Sequence, residues 1–316
     1  MQGASMYSTE LGQLAGQTFA KGHATGNDFV LIADPEAAVE LTAEQVAALC
    51  HRRFGIGGDG LIRAVPTAKV PGYEQQVTEN PEAYWFMDYR NSDGSIAEMC
   101  GNGVRAFAHF LIAEGLVDLQ IGQSIFIGSR AGIKTITRLV EGYAVNLGPW
   151  GLIFEDKAEA DSIDSMVKPR GWEQAVPALS ITMGNPHTVV ALPDLDMLES
   201  LDLFVEPEVA PKPANGTNVE FVVPNEPLIE EDGVAQVTMR VHERGVGETL
   251  SCGTGACAAA AAVRYWARGT ALINQWAVSV PGGVVGVEFR ANERGGEDTI
   301  LSGPAELVAR GVIGSK

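Results

Sequence analysis

The chain has 316 residues, 46% hydrophobic and 20% charged, which fits about two globular domains and excludes a disordered or fibrous protein. Its 22 Lys and Arg face 40 Asp and Glu, a formal net charge of −18, so general nucleic-acid binding is excluded while small-molecule chemistry stays open. No apolar run reaches the ~18 residues of a membrane helix, so no membrane association is expected. Four cysteines are too few for a disulfide-stapled secreted scaffold. Residues 1–17 are polar and Gly-rich, without a basic start or an apolar core. They do not read as a signal peptide. The expectation is a poorly ordered tail and a cytoplasmic protein.

In chain order, short two-residue alternations predict strands over Phe29–Ile32, Tyr84–Tyr89, Ser124–Ile127, Ile133–Leu139 and Tyr143–Leu147. They continue over Leu179–Met183, Thr188–Leu192, Val219–Val223 and Val237–His242. A hairpin around Pro281-Gly282-Gly283 joins Ala277–Val280 to Val284–Phe289. Helical spacing is rarer. It covers Thr42–Arg53, Val104–Glu114 and an Ala-rich stretch, Gly255–Arg268, that stops at Gly269. Strands outnumber helices and do not alternate strictly with them, which predicts an α+β fold.

The chain also repeats itself. Residues 91–107 read NSDGSIAEMCGNGVRAF and residues 243–259 read ERGVGETLSCGTGACAA, so Cys100 and Cys252 each open a Cys-Gly-x-Gly turn into a helix. The strands before them correspond, Asp88-Tyr89-Arg90 with Arg240-Val241-His242. One unit used twice predicts two similar, pseudo-symmetric domains with the active site between them. The expected domains are 18–147 with 300–316, and 148–299.

The glycines let backbone fold around the sulfur, and the helix start aims N–H groups and a positive dipole end at it. That setting is expected to favour the thiolate, and the same N–H groups can hold a substrate carboxylate. Two such sulfurs make a two-base racemase or epimerase, one removing an α-proton and the other delivering one to the opposite face. Cys50 and Cys257 fall on apolar helix faces and read as core. Zinc lacks a matching His pair near Cys252 and Cys257. Gly55-Ile56-Gly57-Gly58-Asp59-Gly60 imitates a dinucleotide loop, but it follows a helix and has no βαβ unit around it.

The sequence resembles the diaminopimelate epimerases, in particular their actinobacterial branch, from about Phe19 to Ile313. Gly26-Asn27-Asp28-Phe29, Gly55 to Gly60, Arg90 to Ser95 and Met99 to Gly103 carry the likeness in the first half. Met183-Gly184-Asn185-Pro186-His187, Asn218-Val219-Glu220-Phe221, Glu243 to Thr249 and Cys252 to Gly255 carry it in the second. The resemblance implies two domains, each a barrel-like sheet around one central helix, and epimerisation of LL-2,6-diaminopimelate to the meso form on the lysine and peptidoglycan route. It implies Cys100 and Cys252 as the proton-transfer residues, with His187 a candidate for assistance or a structural imidazole. Substrate-binding positions are Asn27, Asn91, Asn185, Asn218, Glu243 and Arg244, and the loop residues Gly101, Asn102, Gly253 and Thr254 hold the reacting end. It implies no cofactor (neither pyridoxal phosphate nor metal) and a homodimer. One position departs: many members carry a distal-contacting Gln where this chain has Gly60. Proline racemases and hydroxyproline epimerases carry His where Asn102 stands and lack the Glu243-Arg244 pair. A non-catalytic amino-acid-binding module is the alternative from another class, and both cysteines being present argues against it.

Overall fold

The computed structural model describes residues 11–97, 99–230, 233–267 and 273–314. The backbone divides into two units, one running to Val145 and resuming at Gly303, the other Asn146–Ser302. Sequence reasoning puts these junctions at 147/148 and 299/300, within three residues of the observed ones. The chain changes unit inside two strands, Tyr143–Gly148 and Glu297–Gly303.

In the first unit, β1 (Thr18–Ala24) turns at Gly26 into antiparallel β2 (Asn27–Ala33). Helix α1 (Ala43–Cys50) follows, then β3 (Gly60–Pro66) parallel to β2. A short α2 (Gln75–Glu79) precedes β4 (Trp85–Asn91), antiparallel to β3. After α3 (Gly101–Ala113), β5 (Ser124–Gly128) returns parallel to β4, and β6 (Lys134–Arg138) and β7 (Tyr143–Gly148) continue antiparallel.

The second unit repeats that order. After β8 (Gly151–Leu152), α4 (Glu155–Asp161) and β9 (Ser165–Lys168), β10 (Val176–Thr182) turns at Gly184 into antiparallel β11 (Pro186–Ala191). Helix α5 (Leu195–Glu199) and β12 (Glu208–Ala210) lead to β13 (Asn218–Ile229), parallel to β11, and to β14 (Ala235–Glu243), antiparallel to β13. Then come β15 (Gly247–Thr249), α6 (Gly253–Trp266), β16 (Gln275–Val280) parallel to β14, and β17 (Gly283–Ala291) antiparallel to β16. Strand β18 (Glu297–Gly303) closes this unit, and β19 (Glu306–Val312) pairs with β1 in the first.

Each unit thus wraps strands around one helix. Helix α3 packs on β1 to β4, and α6 on β10, β11, β13, β14, β16 and β17. Buried Val104, Phe107, Phe110 and Leu111 form the inward face of α3. In α6 the run Ala256 to Ala262 is buried, with Cys257 inside it, and small side chains let strands close around every face of the helix. The Gly269 stop of the expected helix lies outside the described residues.

Thr42 caps α1 with a capping box to Gln45, an arrangement that stabilises a helix start by about 1 kcal/mol. The tail expectation needs correcting. Leu11 and Leu14 are buried in a cluster with Val30, Val46, Leu49, Leu61 and Ile313, so these two side chains anchor the segment to the core. Residues 1–10 lie outside the described residues. Among the described residues, no helix is long and apolar enough to cross a membrane.

Candidate active site

The cysteines occupy equivalent places. Cys100 is the N-cap of α3, in extended backbone, and its Sγ accepts the Gly103 N–H at 3.4 Å. Cys252 is the N-cap of α6, also extended, and its Sγ accepts the Gly255 N–H at 3.4 Å. The thiol replaces the hydroxyl or carboxylate that usually caps a helix, so each sulfur sits on the positive end of the dipole. The first-turn N–H groups of Gly101 and Asn102, and of Gly253 and Thr254, have no acceptor within their own helices.

In the first unit, the Cys100 thiol also donates to Asn27 Oδ1 at 3.4 Å. Asn27 is held from behind, its Nδ2 donating to Asp59 Oδ2 at 2.7 Å. A carboxylate only accepts, so Asp59 fixes which way the amide faces. Asp59 and Asp28 are clamped in turn by Arg52, at 2.7 and 2.8 Å, and Lys21 pairs with Asp28 at 2.6 Å and with the Gly57 carbonyl. Burial works to raise the Asp28 carboxyl, but the Arg52 and Lys21 bonds outweigh it and hold it well below the usual carboxylate range. Asn91 closes the turn after β4, its Nδ2 on Ser95 Oγ at 3.0 Å. Asn102 is buried, with Oδ1 taking Arg105 at 2.9 Å.

In the second unit, Asn185 and His187 follow the β10–β11 turn just as Asn27 and Phe29 follow the β1–β2 turn. His187 is fully buried, with Nδ1 at 2.7 Å from Glu220 Oε1 and Nε2 at 3.1 Å from Asn185 Oδ1. Asn218 ties two segments together, donating to the Pro186 carbonyl and accepting the Arg244 backbone N–H at 2.9 Å. The Arg244 guanidinium rests on the Asn215 carbonyl, and Glu243 accepts the Thr249 hydroxyl at 2.5 Å. The Cys252 Sγ lies 3.6 Å from Thr254 Oγ1.

One expectation is overturned. The Cys252 thiol is pushed well up rather than down, first by burial and then by the Glu243 and Glu220 charges; Thr254 and the Gly255 N–H only partly offset them. A helix start favours a thiolate, but desolvation and two carboxylates win.

The model of the diaminopimelate epimerase family matches residues 19–153 and 179–308, so both repeats and both capping cysteines fall inside it. The chain belongs to the diaminopimelate epimerase family. It is 42% identical to the diaminopimelate epimerase of Streptomyces coelicolor over 305 residues, covering 94% of this chain and 95% of that protein. The enzyme of Corynebacterium glutamicum is 40% identical over 301 residues (93% and 97%), and that of Rhodococcus jostii 42% over 305 (93% and 96%). Solved structures share the fold at low identity. A Bacillus anthracis protein of the PhzF family has a TM-score of 0.61 at 15% identity, covering 93% of this chain and 97% of that one. A hydroxyproline epimerase from Agrobacterium vitis has a TM-score of 0.59 at 12%, covering 94% and 92%. The two-domain α+β architecture is that of these folds, and the diaminopimelate epimerases are isomerases.

Gly60, where the sequence departs from its relatives' pattern, is fixed by its surroundings. A Cβ there would lie 2.4 Å from the Arg90 carbonyl and 2.6 Å from Tyr89 Cε2, so no side chain fits without movement. Glu248 pairs with Arg240 at 2.8 Å and supports the strand rather than the thiols. Sequence reasoning missed Asp59, Arg52, Thr249 and Glu220. Glu220 left a trace, a carboxylate between Val219 and Phe221 in an apolar strand.

Proposed function

We propose that this chain epimerises LL-2,6-diaminopimelate to the meso form by two-base chemistry, with Cys100 and Cys252 exchanging one proton each with the α-carbon. The observation that carries the reading is the double cap: each cysteine binds the N3 N–H of a helix whose first N–H groups can take the substrate carboxylate. Inversion needs a base and an acid on opposite faces of the α-carbon. Because Cys252 is pushed up, it enters as the thiol, and its proton goes to the carbanion while the electron pair stays on sulfur. Gly101, Asn102, Gly253 and Thr254 offer donors to the reacting end. Asn27, Asn91, Asn185, Asn218, Glu243 and Arg244 bind substrate, with Glu243 suited to an ammonium and Arg244 to a carboxylate. His187 assists indirectly, by holding Glu220 and Asn185 through its two ring nitrogens. The chemistry runs without a cofactor.

The net charge of −18 supports a small-molecule substrate over nucleic acid. A cytoplasmic location is the reading suggested by the cysteine usage, four in 316 residues being too sparse for a disulfide-stapled secreted scaffold. A homodimer is the family-based expectation, and light scattering on the eluting protein tests it.

The deciding experiment is α-hydrogen exchange in D₂O with LL-diaminopimelate, followed by NMR without added cofactor, with L-proline in parallel. Exchange and inversion of diaminopimelate alone are expected. Exchange of proline instead would keep the mechanism and overturn the substrate. Near wild-type turnover in Cys100→Ala or Cys252→Ala would overturn the mechanism.

A further inference from the structure

The two repeats differ in character behind their cysteines. In the first, Phe29 faces Gly60 across β2 and β3, and Ile62 stands two residues on. In the second, His187 faces Asn218 across β11 and β13, and Glu220 stands two residues on. The strand pairing that follows is equivalent, Leu61 with Arg90 and Val219 with His242. So Phe29 and Ile62, both apolar, correspond to His187 and Glu220, both ionisable, and all four are buried.

These side chains reach the cap. A Cβ on Gly103 would meet Ile62 Cδ1 at 3.3 Å, Cys100 Cβ at 3.4 Å and Phe29 Cζ at 3.5 Å. A Cβ on Gly255 would meet Glu220 Oε1 at 2.7 Å and the Cys252 Sγ at 3.2 Å. The Glu220 carboxylate therefore lies against the first turn of α6, beside the N–H that holds the Cys252 sulfur. Its Oε1 is bound by His187, while its buried Oε2 has no hydrogen-bond partner among the described residues.

We propose that Glu220 is a positioning residue for the proton transfer assigned to Cys252: anchored by His187 against the start of α6, its charge holds that sulfur in the thiol form. The inference rests on Cys252 being a proton-transfer residue. Glu220 acts from β13 and Glu243 from the end of β14, while Thr254 and the Gly255 N–H oppose them from α6. His187, on β11, acts through Glu220. Once the proton has passed to the α-carbon, a thiolate stands beside a carboxylate. That repulsion makes the sulfur a strong base for the reverse reaction. The first repeat has no such charge at the matching place, so the two thiols are not equivalent.

The test is alkylation of each cysteine by iodoacetamide across pH 6–11, resolved by mass spectrometry on the full chain. In Glu220→Gln, the Cys252 profile is expected to move to lower pH by about one unit, a roughly tenfold faster reaction at pH 8, while the Cys100 profile stays in place. A Cys252 profile coincident with wild type in folded Glu220→Gln overturns the proposal. So does an equal shift at Cys100, which would signal general loosening. If Glu220→Gln does not fold, Glu220→Asp carries the test: withdrawing the carboxylate by one methylene must move the Cys252 profile the same way. Coincidence with wild type then overturns the proposal. Loss of the two-thiol reading is seen separately, as inversion surviving in Cys252→Ala.

Discussion

At Asn27 the side chain has two equivalent-looking ends, and only one arrangement serves a thiol donor. Asp59 takes the NH₂ end, which leaves Oδ1 for Cys100. Asp59→Ala is therefore expected to lower kcat/KM by about tenfold or more, since misplacement by an ångström can cost up to ~100-fold. The fold should survive, because Asp59 is half-exposed and Asp28 keeps both Arg52 and Lys21. A kcat/KM within twofold of wild type would show that Asn27 needs no such support. The same scale explains why Gly60 departs from the Gln common in the family. The Arg90 carbonyl and the Tyr89 ring occupy the space of a Cβ, so Gly60→Gln is expected to destabilise the chain by about 1–3 kcal/mol rather than restore a distal contact. Urea titration of the variant checks the sign.

Helices α3 and α6 are built to the same plan and differ in what surrounds their third residue. The contacts waiting for a Cβ at Gly103 are 3.3 Å or longer and apolar, whereas at Gly255 they are a carboxylate oxygen and a sulfur at 2.7 and 3.2 Å. Gly103→Ala should therefore be mild, within about 1 kcal/mol, while Gly255→Ala should destabilise by about 1–3 kcal/mol. It should also strip epimerase activity by displacing Cys252 or Glu220. Equal effects of the two substitutions on melting and turnover would contradict this asymmetry. The alanine run of α6 has a related cause: strands pack on all its faces, so side-chain volume is limited everywhere along it.

For the whole molecule, two buried thiols tie stability to pH. Cys50 is pushed up to about 12, chiefly by burial, and Cys252 is raised in the same direction. The unfolded chain loses these protons near pH 9, while the folded chain keeps them. The Cys50 contribution is complete below about pH 9 and is lost as pH climbs toward 12, at ~1.4 kcal/mol per pH unit, and Cys252 adds a loss in the same direction. Cys50→Ala should flatten that alkaline fall by one proton in urea titrations at pH 8 to 10.5, whatever it does to stability at pH 7. An unchanged slope would mean that Cys50 does not stay protonated in the fold.

The repeat, the two Cys-Gly-x-Gly caps and the alternating strands were legible in the sequence because they depend on local rules: side-chain periodicity, glycine permissiveness and the unsatisfied N–H groups of a helix start. Strands such as β3 were not legible, since Gly60–Pro66 is buried on nearly every residue and shows no alternation. The packing of Leu11 and Leu14 was hidden too, because their partners Val30, Leu61 and Ile313 lie far along the chain. The sequence put a thiol at each helix start, and local reasoning there predicts a lowered pKa. Only tertiary structure set the balance at Cys252, by drying the sulfur and bringing Glu220 and Glu243 beside it from separate strands. Ionisation depends on every charge within a few ångströms in space, and distance along the chain does not reveal those charges.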